Sequence, residues 1–416
     1  MQQRVTLLLC LFFFATTIVR AQNMNSPYSI YGIGDIDHRS YNRTAGLAGT
    51  GLATRSSIYL VDNNPAAITG LTRSFYTIDA AMAGRTVTYS GTPVSIDNSK
   101  NKDFWIKRLS LAVKVSGFWA TSIGFSQFSN VNYTFTGEKG IIGDNTTYQT
   151  RYEGDGGLNE YYWTNAVSLG KHFSVGLRSA IVAGGFNKTE IVSDAGLGSS
   201  VSTQVQEYFG RPRFQAGAQY YTDLGKKWKL NLGGRYTPGV NLPSERTLTV
   251  TEGTTTLVDA KTLEQGNFRL PESYAAGISL THNRKTTYVV DYTYDDWSSL
   301  QIKKQGWQMV SSSRISGGVE FSRKKNVWNQ EIEHRFFQLG GFYNQSYLQI
   351  RNQPIREYGF TAGMGGILSK GLLYSVSLEG GVRGTQQANL IKENYFQLNF
   401  SFSYRDFLQS RGRKYD

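Results

Sequence analysis

Apolar and polar residues alternate most strictly near the C-terminus, in "NYFQLNFSFSYRDF". Phe396, Leu398, Phe400, Phe402 and Tyr404 fall on one face, and Gln397, Asn399, Ser401 and Ser403 on the other. A period of two over this length predicts a β-strand. Large aromatic residues on one side and small polar groups on the other suit a wall between lipid and a wet interior. The same alternation recurs upstream. Phe173, Val175, Leu177 and Ile181 alternate with Ser174, Gly176, Arg178 and Ala180, and Tyr288, Val290, Tyr292 and Tyr294 with Val289, Asp291, Thr293 and Asp295. Pairing such segments across short turns predicts about fourteen strands, beginning near Phe75. Tight connections are expected at Ser116-Gly117, Gly170-Lys171, Gly225-Lys226, Asn283-Arg284, Lys324-Lys325 and Ser369-Lys370. Longer polar loops are expected between them, at Glu138 to Gly157, Ile191 to Gln206 and Thr251 to Arg269. An even strand count with short turns at one end is the layout of an outer-membrane barrel, and it places both chain ends on the short-turn, periplasmic side. Closure leaves no strand edge unpaired, as hydrocarbon requires.

Composition agrees with this pattern. The 416 residues include 45 Gly, 26 Tyr and 23 Phe but only 8 Pro, and after the first twenty or so residues no apolar run is long enough for a membrane helix. The opening "MQQRVTLLLCLFFFATTIVRAQ" has a basic start, an apolar core and a small residue at Ala21, so residues 1–21 are expected to be a signal peptide cleaved near Ala21. Cys10 lies in mid-run and is the single cysteine, so the mature chain would have no disulfide, cysteine nucleophile or thiolate metal site.

The formal charge is +13, and removing Arg4 and Arg20 with the signal leaves +11. The basic residues are scattered through turns such as "GKKW", "NRKT", "RKKN" and "LSKG", so contact with solvent and anionic lipid head groups is expected rather than nucleic acid. His38, His172, His282 and His334 lie far apart, and no GxSxG elbow is present. No enzyme, cofactor or metal site is therefore expected. Glu153 to Gly157, "EGDGG", lacks the alternating oxygen ligands of a calcium loop and is expected to be a loop turn.

Residues 22–72 precede the first good strand. They contain "GLAGTGLATRSSIYLVDNNPAAITG", with Gly46, Gly49 and Gly51 followed by Asn64, Pro65 and Ala66. A dinucleotide loop would need a strand before these glycines and a helix after them, and neither is indicated. A compact element whose glycines allow tight turns and close approach to a wall is the simpler reading. A barrel of about fourteen strands encloses more space than its own side chains fill, so this segment is the expected plug.

These residues, with "RSFYTIDAAMAG" after them, resemble the N-terminal hatch and first strand of the FadL/TodX family of outer-membrane barrels. "WTNAVSLGKHFSVGLRSAIVAGGFNKTEI", "LPESYAAGISLTHNRKTTYVVDYTYDDWSSL", "EYGFTAGMGG" and "VRGTQQANLIKENYFQLNFSFSYRDF" resemble later parts of such barrels, the last two those of Bacteroidota. The resemblance implies an all-β protein: a transmembrane antiparallel β-barrel of fourteen strands over residues 73–407, a luminal hatch over 22–72 and a short basic tail over 408–416. It implies passive transport of hydrophobic small molecules, such as long-chain fatty acids, across the outer membrane of a Gram-negative bacterium. The alternative it allows is a non-transporting structural or assembly partner of the PorV kind, in a complex with another outer-membrane or periplasmic protein. Arg178, Arg235, Asp291, Asp295 and Glu320 fall on expected luminal positions. Ordinary pairing is the plainer reading of these charges; a polar path or a carboxylate-recognising group is the sharper one. The basic end from Arg411 to Asp416 is read as a solvated tail, with a protein contact as the alternative.

Overall fold

A computed structural model describes residues 26–92, 99–140, 146–194, 199–327, 330–369 and 371–408. The expected signal peptide and the tail from Arg411 to Asp416 lie outside the described residues. Fourteen antiparallel strands form a closed ring. They are β1 (Phe75–Gly91), β2 (Lys100–Lys114), β3 (Trp119–Asn130), β4 (Thr147–Leu169), β5 (Phe173–Asp194), β6 (Ser199–Leu224) and β7 (Trp228–Thr237). The ring continues with β8 (Ser273–His282), β9 (Thr286–Asp295), β10 (Ser312–Val327), β11 (Gln330–Ile350), β12 (Gln353–Ser369), β13 (Leu372–Gly384) and β14 (Ile391–Phe407). Each strand pairs with its neighbours in sequence, and β14 closes on β1 from Phe75↔Phe407 to Gly91↔Ile391.

The alternation decides which way each side chain points. Outward-facing Phe396, Phe402, Tyr404, Leu177, Ile181, Tyr288, Val290 and Tyr292 are exposed on the outer wall, while inward-facing Gln397, Asn399, Ser401, Ser403, Arg178 and Asp291 are buried. Large apolar residues outside and polar ones inside are the inverse of a soluble fold, and they identify the surroundings as lipid.

Three expectations about connections need correction. The turn placed at Lys324-Lys325 does not occur there, because β10 runs on to Val327. The expected loop regions are largely strand: β4, β5 and β6 have 23, 22 and 26 residues, roughly twice what a bilayer crossing needs. Their outer ends join Tyr133–Gly140, Val240–Glu252 and Thr255–Thr262 in a sheet that continues beyond the barrel. Here both faces meet water, so the Thr- and Ser-rich sequence shows no apolar face even though its backbone is paired. Glu153 to Gly157 is likewise inside β4, where Gly156 and Gly157 adopt φ of +110° and +153°. These glycines let the strand bend close to Gly185 and Ser129, whose carbonyls leave no room for a Cβ.

The segment from Ser26 to Leu71 is largely buried. Its 3-10 turns are Pro27–Ile30, Arg43–Leu47 and Pro65–Gly70, and Asp35–Ile36 forms a two-residue strand. The Arg43–Leu47 turn packs against β10 to β13, whereas Pro65–Gly70 packs against β2 to β6, so the segment crosses from one wall to the other.

Candidate functional site

Small residues in the wall make room for the inner segment. A Cβ on Gly176 would stand 2.5 Å from Pro65 C, one on Gly217 2.1 Å from Asn64 Oδ1, and one on Gly233 2.1 Å from Leu52 O. Gly46 and Gly363 meet across the opposite contact, where a Cβ on Gly46 would lie 2.7 Å from Gly363 Cα. Gly49 has φ +74°, a left-handed conformation that favours glycine. The Gly51 N–H donates to Asp291 Oδ2 at 2.7 Å, as does that of Leu52 at 2.9 Å. Asn64 caps the Pro65–Gly70 turn by accepting from Ala66 N at 3.0 Å, while its Nδ2 donates to the wall carbonyls of Ala218 and Gly234. Pro65 opens that turn, and Ala66 is fully buried.

Charges hold the segment as well. Arg43 pairs with Glu320 and Glu333, each at 2.6 Å. Asp62 lies between Arg108 at 3.2 Å and Arg178 at 3.1 Å. Arg39 donates to Glu379 at 2.8 Å, and Arg383 pairs with Asp35 at 2.7 Å. Arg235 donates to the Asn63 carbonyl at 3.0 Å, and Asp295 accepts from Ser312 Oγ at 2.9 Å. Of the five charges named from sequence, Arg178, Arg235, Asp291 and Glu320 contact the inner segment, whereas Asp295 bonds to Ser312 of the wall. Burial opposes ionisation of Asp62, but Arg108 and Arg178 outweigh it and hold the carboxyl at about 2.

Strand by strand, the charges give way to an apolar layer at the end remote from the termini. On β5, Arg178 is followed by buried Val182 and Phe186; on β11, the polar Asn344 is followed by Leu348 and Ile350; and just past the end of β9, Asp295 is followed by Trp297. These apolar groups form one cluster with Ile33 of the inner segment, Phe128 of β3 and Val131 just past it.

Next to this cluster the wall is interrupted. The β2–β3 ladder runs from Lys114↔Ala120 to Arg108↔Ser126, and no further pairs join these strands among the described residues. Beyond it, the outer part of β3 pairs instead with the inner segment: Ile36↔Ser129 and Asp35↔Asn130, with Asp37 N donating to Phe128 O at 3.0 Å. On the other side of the break a bulge between Ala81 and Met82 of β1 leaves Lys107 as an extra residue of β2. The bulge turns Lys107 inward beside Arg108, and its Nζ reaches Asp37 Oδ2 at 3.1 Å and Gln127 at 2.7 Å. Burial again opposes ionisation of Asp37, but Lys107 and then Arg39 hold it at about 2. Neither the break nor Lys107 was among the residues singled out from sequence. A bulge is one unpaired residue, and no periodicity marks it.

The sequence profile of the BamG family matches residues 1–416. The chain belongs to the BamG family. No curated protein matches this BamG-family chain. Among solved structures it is similar to a Pseudomonas aeruginosa FadL homologue, with 12% identity over 90% of this chain and 100% of that one and a TM-score of 0.63. The Pseudomonas putida toluene transporter TodX matches at 14% identity over 90% and 100% of the two chains, TM-score 0.58. The CymD monoaromatic hydrocarbon channel matches at 15% identity over 88% and 97%, TM-score 0.55. At these identities the likeness is one of fold, so this BamG-family protein shares the FadL-type barrel, and its activity must be argued from its own residues.

Proposed function

We propose that the protein is an outer-membrane channel for hydrophobic small molecules, with residues 22–72 as its hatch. The observation that carries this reading is the apolar layer lying over a charged one and beside a break in the wall. A hydrophobic ligand entering from the remote end is favoured in the apolar layer by about 25 cal/mol per Å² of buried apolar surface. Below it lie ion pairs among Arg39, Arg43, Arg108, Asp62 and their partners, which such a ligand cannot replace. The path of lower cost is sideways, through the break now occupied by Asp35 to Asp37. Long-chain fatty acids and the monoaromatic hydrocarbons named for the similar channels both fit this description by polarity. The closing-strand motifs support a place among barrels of the Bacteroidota type.

Uptake of a fluorescent hydrophobic probe into proteoliposomes tests the reading. The protein is expected to raise probe entry above protein-free vesicles, and a disulfide between Cys residues substituted at Ile36 and Ser129 is expected to abolish it. Equal entry with and without the protein, for a set of probes of differing size, would reject transport.

A second reading, a structural or assembly partner, is favoured by the sheet that projects beyond the barrel. Its two outermost strands, Tyr133–Gly140 and Thr255–Thr262, each pair on one side only among the described residues. Unpaired edges of this kind accept strands from other chains. Crosslinking in the native membrane distinguishes the readings: a stoichiometric protein partner joined through Thr255 to Thr262, together with no probe uptake, would establish the second.

A further inference from the structure

The charged layer contains two arginines that make no ion pair among the described residues, Arg235 and Arg314. Their only hydrogen bonds to the inner segment go to main-chain carbonyls, of Asn63 at 3.0 Å and of Ala48 at 3.1 Å. They are linked by register. Arg235 of β7 is opposite Ala275 of β8, Ala275 is opposite Thr293 of β9, and Thr293 is opposite Arg314 of β10. The two guanidinium groups thus extend from strands three positions apart, about 14 Å at the usual strand spacing, with only Ala and Thr projecting between them. A cavity of about 220 Å³ lies there, several times the share of one water.

Its lining adds Arg213 and His38 as further nitrogen donors and the hydroxyl-bearing Ser273 and Thr293. Arg235 Nε and Arg213 Nε are buried without a hydrogen-bond partner. The acids on the lining are mostly engaged: Glu160 with Arg213 at 3.3 Å, Asp62 with Arg108 and Arg178, and Asp37 with Lys107. Asp295 is the remaining carboxylate of the lining, and Glu357 and Glu379 near Arg314 are engaged by Arg39. Six arginines against four carboxylates leave the lining net positive, and positive charge, forked donors and hydroxyls around a small space are what a single oxyanion requires.

We infer that this cavity is a binding site for a phosphate-type oxyanion, which joins the wall arginines Arg235 and Arg314 to the inner segment. The inference is independent of hydrophobic transport. Such an ion would neutralise the pair and lock the inner segment, whose Asn63 and Ala48 carbonyls the same arginines already hold. Either free inorganic phosphate or the phosphate of a lipid head group supplies the chemistry.

Thermal unfolding of the full-length protein in a zwitterionic sugar-free detergent tests it, with sodium phosphate, a short-chain phosphatidic acid, or sodium chloride at matched ionic strength. Phosphate is expected to raise the Tm above chloride. The Arg235→Gln, Arg314→Gln double variant is expected to weaken the apparent affinity by about tenfold or more, which is about 1.4 kcal/mol or more. Should that variant fail to form a heat-modifiable barrel, Ala275→Met, which fills the space without removing charge, is expected to do the same. A response to inorganic phosphate assigns the free ion, and a response to phosphatidic acid alone assigns a head group. No response to either beyond chloride, or an equal response in a folded variant, overturns the inference.

Discussion

Lys107 Nζ lies 3.1 Å from Asp37 Oδ2, joining the inner segment to the strand on the far side of the wall break. On the near side, the segment is held by main-chain pairing to Ser129 and Asn130. This single ion pair is thus the contact between Asp37 and β2, and it is side chain to side chain. Replacing Lys107 with Ala removes it, together with the Lys107 bond to Gln127 of β3, and leaves the main-chain pairing of Asp35 and Ile36 with β3 intact. If the break is the exit, the Lys107→Ala variant should pass a hydrophobic probe several-fold faster than the unmodified protein in proteoliposomes. Hydrogen exchange should quicken at Asp35 to Asp37 and remain unchanged in β14.

The pH dependence of this closure follows from Asp37 and Asp62. Both carboxyls are held at about 2, below their ordinary 3.8. A depressed pKa contributes stability that is fully present above the unfolded value and is lost as pH falls through the folded one. The share of the inner segment's protection that these two carboxyls supply should therefore be level from about pH 8 to pH 5 and decline below about pH 4. Hydrogen exchange across that series measures it; a decline centred near pH 6 to 7 would assign control to another group.

Arg43 is buried between two carboxylates, Glu320 and Glu333. Its replacement by Ala leaves both acids without their cation, a loss of about 3–5 kcal/mol for a broken buried pair. The expected result is release of the inner segment before the barrel unfolds, seen as new protease cleavage between residues 40 and 60. The Arg43→Met, Glu320→Gln double variant should recover part of the loss, because it removes one of the stranded charges.

Wall glycines supply the fourth test. Gly233→Val places its Cβ 2.1 Å from Leu52 O, with no flexible side chain to yield. Gly234, beside it, has nothing within 4 Å of such a Cβ. The Gly233 variant should expose the inner segment to protease while keeping the heat-modifiable mobility of a barrel. Gly234→Val should behave as the unmodified protein. Equal behaviour of the two would reject Gly233 as a seat for the segment.

Much of the fold was legible in sequence because lipid on one side and polar groups on the other impose a period of two, and each of β5, β9 and β14 shows it directly. The same alternation put Arg178, Arg235, Asp291, Asp295 and Glu320 on the inner face. Glycines 46, 49 and 51 were read as turn and close-approach residues; Gly46 abuts Gly363 of the wall and Gly49 has φ +74°, whereas a Cβ on Gly51 would meet the Asn63 side chain of the segment itself. The extended ends of β4, β5 and β6 escaped because strands wet on both faces carry no apolar stripe.

What the sequence determined by itself was the sidedness of each strand, since that depends on nearest neighbours along the chain. Tertiary structure alone decided which charges meet: Arg43 reaches Glu320 across 277 positions and Arg178 reaches Asp62 across 116. It also decided that an unpaired residue in β2 would aim Lys107 at Asp37, and that Arg235 and Arg314 would share one register row. Those outcomes depend on the shear of a closed barrel and the path of a segment folded inside it, and neither leaves a local period in the chain.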